Sequence, residues 1–175
     1  MMLERFTIAA IALAALAFLT WLWWLRRRLV IVTVRGASME PTLINGDRIV
    51  ARRVRTSALK VGQIVVVEQP VRRGRWEWLQ AKGGLTSRDW MIKRIAALPG
   101  DPVPTHLASL PGARPGQLVP ADSLLLLGDN KGFSTDSRHI GYVPIDRALA
   151  VMLRPLLQGS GKSRASTSGS ALDHV

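Results

Sequence analysis

A serine and a lysine in two separate segments carry the clearest chemical potential in this chain. Ser38 lies in the segment 36–43, which reads GASMEPTL, and the glycine and proline there predict a tight, exposed turn. Lys93 lies in the apolar segment 91–95, which reads MIKRI. Burial in such a run lowers the pKa of a lysine, and its neutral amine can then act as the base for a serine nucleophile. The two segments predict a serine–lysine catalytic dyad.

A third segment supplies polar groups that could hold this pair in place. Residues 128–138 read GDNKGFSTDSR. Asp136 and Arg138 are two residues apart, so on an extended segment they share a side and are expected to form an ion pair. Asp129 and Asn130 are interpreted as structural residues near the site, with Arg94 as a partner for Asp129.

Together, the three segments resemble the bacterial type I signal peptidase family and its relatives in the mitochondrial inner membrane. The resemblance rests on Ser-Met-x-Pro-Thr, on Lys-Arg ahead of Leu-Pro-Gly-Asp, and on Gly-Asp-Asn followed by Ser-x-Asp-Ser-Arg, and it covers residues 34–144. It implies a membrane-bound serine endopeptidase that removes signal peptides from exported preproteins after a small-x-small sequence. Ser38 would be the nucleophile and Lys93 the base, with no metal and no organic cofactor.

The resemblance also implies roles for residues around the dyad. Ser134 matches the second serine of the family, which orients the lysine amine. Some relatives place a serine hydroxyl two residues before the nucleophile, but this chain has Gly36 there. Gly36, Ser38 and Met39 are therefore expected to form the oxyanion and substrate turn, with the Ser38 backbone N–H as one donor to the developing negative charge.

The N-terminal segment, residues 1–28, is predicted to be a tail and a transmembrane anchor. Residues 6–25 carry no charge and are long enough to cross a bilayer as a helix. Tryptophans and the arginines at 26–28 close the segment, as is typical of a membrane interface. A cleavable signal peptide is the alternative, because Ala15-Leu16-Ala17 fits a cleavage site, but the apolar run continues past it.

The orientation of this anchor rests on two opposing arguments. Arginines 26–28 would by charge alone keep the following domain in the cytoplasm. The implied activity instead requires an extracytoplasmic catalytic domain, because exported preproteins present their cleavage site at the outer face. We therefore expect a single-pass membrane protein with its domain outside.

Residues 29–157 are predicted to form a mostly β catalytic domain. Branched and apolar runs predict strands at 29–34, 47–50, 63–68, 75–79, 90–98 and 123–127. Residues 141–153 fit either a strand pair or a short helix, and 102–120 reads as a loop rich in proline and glycine. Trp76 and Trp78 alternate onto one face, which could meet lipid or the core. The glycine- and serine-rich residues 158–175 predict a disordered tail.

Composition narrows the possible partners. The chain has 175 residues, with 24 Lys and Arg against 12 Asp and Glu, a net charge of +12. Such a charge favours anionic lipids or nucleic acid. No recognition helix or zinc-finger spacing is present, so membrane lipids are expected and nucleic acid is not. The chain lacks cysteine, which excludes disulfides and a thiolate nucleophile.

Two alternatives to a signal peptidase remain open at the level of sequence. One is a specialised maturation protease on the same fold. The other is a catalytically inactive, membrane-anchored binding protein, against which the intact serine and lysine argue. A Ser-His-Asp triad through His139 is disfavoured, because His139 adjoins the charged Arg138 and reads as a solvated loop residue.

Overall fold

The computed structural model describes residues 2–78, 89–107, 110–114 and 116–157. The helices and strands are, in chain order, α1 (Met2–Arg28), β1 (Leu29–Thr33), β2 (Arg48–Arg53), β3 (Ile64–Glu68), β4 (Val71–Arg73), β5 (Arg75–Glu77), β6 (Trp90–Ala97), β7 (Ser123–Leu127), α2 (Ser137–Ile140), β8 (Val143–Pro144) and β9 (Ala148–Leu157). Short 3₁₀ helices occupy Thr56–Ala58, Thr105–Leu107, Lys131–Phe133 and Ile145–Arg147. The mostly β fold predicted from the sequence is confirmed.

Helix α1 covers the predicted anchor and runs directly into the first strand. It ends at Arg28, and β1 begins at Leu29 without a linker. In the described part of the chain, no helix combines the length and the apolar character that crossing a membrane requires. The predicted helix is therefore present, and the predicted membrane span is not confirmed.

Seven strands form one antiparallel sheet in the order β1-β2-β9-β3-β6-β7-β8. The central strand β3 is buried on both faces, which explains its unbroken apolar sequence. Ile64 and Val66 join one core cluster, while Val65 and Val67 join a second. Strand β6, which carries Lys93, lies between β3 and β7, so both of its edges are paired. A side chain on β6 is consequently fixed by neighbours on either side.

The sequence left open whether residues 141–153 form a strand pair or a short helix. They contain β8, the 3₁₀ helix Ile145–Arg147 and the start of β9. Strand β8 pairs with β7 and β9 pairs with β2 and β3, so the two strands are not paired with each other. The 102–120 loop packs apolar side chains into a third core cluster beneath β7, and Pro102 bridges Leu118. The predicted tail 158–175 and residue 79 lie outside the described residues.

The tryptophans of the small β4–β5 hairpin do not form a common exposed face. Trp78 packs against the second core cluster, and Trp76 is partly buried with the Arg72 guanidinium 5.8 Å from its ring centroid. Strand β5 ends at Glu77, so the alternation that would place both rings on one side does not extend to Trp78.

Candidate active site

The turn that carries Ser38 is closed at its base by backbone hydrogen bonds. The Val34 N–H donates to the Asp47 carbonyl at 2.8 Å, and the Gly46 N–H donates to the Val34 carbonyl at 3.0 Å. Within the turn, Gly36 takes a φ of +81°, which an L side chain rarely adopts, and its N–H donates to Asn45 Oδ1 at 3.0 Å. The turn between β1 and β2 is thus held as a rigid loop, with Ser38 near its apex.

Lys93 reaches this turn from the middle of β6. Its Nζ donates a hydrogen bond to Ser38 Oγ at 2.9 Å, although 55 residues separate the two positions. Lys93 is only 3% exposed, and its β6 neighbours Met91 and Ile95 belong to the second core cluster. The geometry therefore places a buried amine against a serine hydroxyl, as a serine–lysine pair requires.

The electrostatic surroundings favour the neutral form of this amine. Burial lowers the pKa of Lys93 from its ordinary value. The negative charge of Asp136 acts in the opposite direction, and the positive charge of Arg138 lowers the pKa again. Because burial is the largest of these effects, the net direction is downward, and a neutral amine at this distance can take the Ser38 proton.

The segment 128–130 is clamped onto the serine turn. The Asn130 N–H donates to the Ser38 carbonyl at 3.1 Å. Asp129 accepts from Arg94 Nε at 2.8 Å and from the Thr42 hydroxyl, and Arg94 Nη2 lies 2.6 Å from Asp129 Oδ2. The hydrogen bond from Arg94 is the main reason that the pKa of Asp129 is lowered. Arg94 and Asp129 therefore pair as expected, and they join β6 to the turn on the side away from Lys93.

A fully buried carboxylate organises the next residues. Asp136 accepts hydrogen bonds from the Gly128 N–H at 2.9 Å, from Ser134 Oγ at 2.8 Å and from Arg138 Nη2 at 2.7 Å. Burial by itself would raise the pKa of Asp136, but these hydrogen bonds outweigh it and lower the pKa. The Asp136–Arg138 pair forms at the start of α2, where Asp136 is the N-cap and accepts from the Arg138 N–H, and not along an extended segment.

Ser134 lies in the site, but its hydroxyl bonds to Asp136. It is 5% exposed. Among the described residues, no hydrogen bond joins Ser134 to Lys93, whose amine bonds to Ser38. An orienting role for Ser134 toward the lysine amine stays a prediction.

Gly128 is a site residue for which sequence reasoning gave no role. A Cβ at this position would lie 2.1 Å from Ser134 Oγ and 2.6 Å from the Ser38 carbonyl oxygen. Only a residue without a side chain allows the two segments to approach this closely. A glycine directly after the apolar strand β7 was the available signal, since such a glycine often marks close backbone contact.

A groove of about 710 Å³ opens in front of Ser38 and Lys93. Residues 30–33 of β1 and the following Val34 line it, as do Asp89, Trp90 and Met91. Met39 also lines the groove, although it is 1% exposed and belongs to the first core cluster. Ser38 and Lys93 are both among its lining residues, so a group bound in the groove would lie beside them.

The backbone N–H groups of the serine turn differ in whether they could stabilise an oxyanion. The Ser38 N–H has no hydrogen-bond partner within the described residues, so it is free to donate to a bound group. The Gly36 N–H, in contrast, already donates to Asn45. His139, which the sequence indicated to be a solvated residue outside the catalytic pair, is exposed. Within the described residues, no cluster of three or more His, Cys, Asp or Glu suits a metal ion.

Comparison with known proteins identifies the family of the chain. The model of the family described as signal peptidase, peptidase S26, matches residues 3–110 and 104–155. The chain belongs to the S26 signal peptidase family. The resemblance read from the three sequence segments is thereby confirmed.

Individual S26 relatives cover the same part of the chain. The probable signal peptidase I-2 of Synechocystis sp. is 34% identical over 131 residues, 65% of this chain and 56% of the relative. The mitochondrial ATP-independent inner membrane protease subunit 1a of Arabidopsis thaliana is 35% identical over 115 residues, 63% of this chain and 60% of the relative. Signal peptidase IB of Staphylococcus aureus is 25% identical over 151 residues, 66% and 71% respectively. The chain thus spans less than two thirds of the length of the first two relatives.

Replacing Gly128 tests the close approach that this S26 site requires. We expect Gly128→Ala to lower the free energy of unfolding by about 1–3 kcal/mol, because its methyl group would overlap Ser134 and the Ser38 carbonyl. Urea unfolding followed by tryptophan fluorescence measures the change. Gly132→Ala is the matched control, since its nearest neighbour would be Asn130 Oδ1 at 4.0 Å. Equal stability of the two variants would contradict the packing argument.

Replacing Asp136 tests the buried carboxylate through its pH dependence. Near neutral pH, Asp136→Asn should lower the free energy of unfolding by about 1.5–3 kcal/mol, because the hydrogen bonds to a charged carboxylate are replaced by weaker ones to a neutral amide. The folded-state pKa of Asp136 is lowered, so its stabilisation is present above the unfolded value of about 3.9 and is lost as pH falls toward the folded value.

The difference in the free energy of unfolding between wild type and Asp136→Asn should therefore become smaller as the pH falls below about 4. Urea titrations at a series of pH values measure it. Asp146→Asn serves as the control, because that side chain is 74% exposed. A gap that stays constant down to strongly acidic pH would show that the charge of Asp136 is not what stabilises the loop.

Proposed function

We propose that the chain is a membrane-bound serine endopeptidase that removes signal peptides from exported preproteins, with Ser38 as nucleophile and Lys93 as base. One observation carries the proposal: a buried lysine amine lies 2.9 Å from a serine hydroxyl at the edge of a groove. Membership of the S26 family and relatives named signal peptidase support the same reaction. Residues 29–157 would form the catalytic domain.

In the first half of the reaction, Lys93 Nζ takes the proton of Ser38 Oγ. The oxygen then attacks the carbonyl carbon of the scissile peptide bond. Negative charge develops on the carbonyl oxygen, where the Ser38 N–H is positioned to donate. The protonated Lys93 returns its proton to the leaving amine, and the peptide carbonyl remains bound to Ser38 as an ester.

In the second half, the neutral Lys93 takes a proton from water, and the resulting hydroxide attacks the ester. Collapse of this intermediate releases the new carboxylate and returns the proton to Ser38. Every proton transfer involves the same amine, so no second acid or base is needed. The Asp129 and Asp136 networks hold the two reacting groups in place.

The substrate would bind as an extended peptide along the groove. Strand β1 is at the end of the sheet order, so its outer edge is unpaired by any strand that the structure describes. A peptide added at this edge would point alternate side chains into the groove. Two alternate side chains would then face the groove while the one between them points away, which accounts for the free middle residue of a small-x-small cleavage sequence.

Helix α1 would attach the protein to the membrane through contacts with lipids. Its apolar side chains are exposed, including Ile11, Leu16 and Phe18. Tryptophans at 21, 23 and 24 and arginines at 26–28 would lie at the interface, where aromatic rings and phosphates meet. We propose a single pass with the catalytic domain on the extracytoplasmic side, where signal peptides of exported preproteins are cut.

Substitution of the two reacting residues tests the function directly. Ser38→Ala and Lys93→Met should each abolish cleavage of a preprotein in detergent, because the pair acts as a unit and either loss removes most of the rate. Mass spectrometry of the products measures cleavage. Lys60→Met, at an exposed lysine, is the matched control. Cleavage by Lys93→Met at the wild-type rate would exclude Lys93 as the base.

The pH profile of the same assay tests the state of the lysine. Because the base must be neutral, the rate should rise as pH rises through the pKa of Lys93. Burial lowers this pKa, so the midpoint should lie clearly below about 10.4, the value of free lysine. A midpoint at the free value would contradict catalysis by a desolvated amine.

A further inference from the structure

Five arginines converge in a recess at the junction of α1 and the sheet. Arg27 and Arg28 come from the last turn of the helix, and Arg52, Arg53 and Arg55 come from the end of β2 and the residue pair after it. The recess has a volume of about 790 Å³ and is also lined by Trp23, Trp24, Val54, Ser57 and Ala58. We call these ten residues the arginine recess.

Strand register explains why the two arginine groups meet. Strand β1 follows α1 without a linker, and Leu29 pairs with Arg52 across the β1–β2 ladder. The last turn of α1 must therefore lie beside the end of β2, where Arg53 follows. For Arg52 and Arg53 the convergence follows from the strand itself, and Arg55 lies two residues past the end of β2.

The recess carries positive charge without a compensating carboxylate. None of its lining residues is acidic. Among the described residues, Arg27, Arg28, Arg52, Arg53 and Arg55 have no ion-pair partner, whereas Arg94, Arg138 and Arg147 elsewhere in the domain are each paired. Gathering five like charges raises the energy of the folded chain, and a bound anion would relieve that repulsion.

Two of the guanidinium groups are supported on aromatic rings. Arg27 lies 4.0 Å from the centroid of Trp23, and Arg28 lies 4.6 Å from the centroid of Trp24. Such stacking restrains the guanidinium planes while leaving their N–H groups free to bind oxygen atoms. The rings themselves are 57% and 47% exposed, so the recess has an apolar margin as well as a charged floor.

The apolar margin continues along the helix. Phe18 and Leu19, which precede the recess, are each 59% exposed. A ligand with a phosphate group and hydrocarbon chains would match both parts of the surface, while a soluble phosphate would match only the arginines.

We propose that the arginine recess binds the phosphate headgroup of an anionic phospholipid, with the acyl chains against the exposed apolar side of α1. This inference rests on the proposed membrane attachment and does not depend on the peptidase activity. The site would fix the catalytic domain against the lipid surface at one defined point, in addition to the helix.

The test measures lipid preference in the full-length protein. The protein in neutral detergent micelles is titrated with phosphatidylglycerol or with phosphatidylcholine, and bound lipid is counted by native mass spectrometry. We expect a preference for phosphatidylglycerol that falls about 25-fold in Arg53→Gln/Arg55→Gln, because each arginine near a lipid surface contributes about fivefold. Both residues are exposed and lie outside α1, so the double variant should fold and keep its helix.

A control variant that loses the same amount of charge distinguishes a specific lipid site from general electrostatic attraction to anionic lipids. Arg114→Gln/Lys131→Gln removes two exposed cations elsewhere and should keep the preference. An equal loss in both double variants, or no preference in the wild type, would overturn the proposal. Equally tight binding of glycerol 1-phosphate would overturn it as well, since it would identify a soluble-anion site. Preprotein cleavage by the same samples reports the proposed function independently.

Discussion

The buried carboxylate of Asp136 is the point on which the geometry of the site depends. It receives the Gly128 N–H, the Ser134 hydroxyl and the Arg138 guanidinium, and so fixes where the strand β7 gives way to the loop. From Gly128 the chain continues directly to Asp129 and Asn130, which bind Arg94 and the Ser38 carbonyl. A carboxylate that touches neither Ser38 nor Lys93 through a hydrogen bond thus sets the distance between them.

The same carboxylate also shapes the charge around the lysine. The negative charge of Asp136 raises the pKa of Lys93 and so favours its protonated form, which cannot act as a base. Arg138 pairs with Asp136 and opposes its effect on Lys93. Desolvation by burial is larger than either effect, so the pKa of Lys93 is lowered. Arg138 thus reduces the effect on the amine of the carboxylate that organises the loop.

Local sequence predicted most of the strands and the approach of Lys93 to Ser38. Other features of the site and the core depend on contacts between segments that are distant in sequence. Ser38 and Lys93 could be paired because neighbouring residues alone indicate an exposed turn for the serine and a buried strand for the lysine. The contacts that require glycine at 128 could not be derived in this way. They come from Ser38, which is distant in sequence, and from Ser134, which lies across a turn. The position of Trp78 was equally hidden: strand alternation stops at Glu77, and packing against the core decides the rest.

The direct passage from α1 into β1 links the proposed membrane attachment to the groove. Strand β1 is five residues long, about 17 Å at 3.3–3.4 Å per residue, and its residues line the groove. The antiparallel partner β2 returns along this length and ends at the arginine recess. One strand pair therefore has the groove along its edge and the arginines at its base. Under the proposed function, a lipid bound in the recess would hold Ser38 at a short, fixed height above the membrane, where the end of a signal peptide emerges.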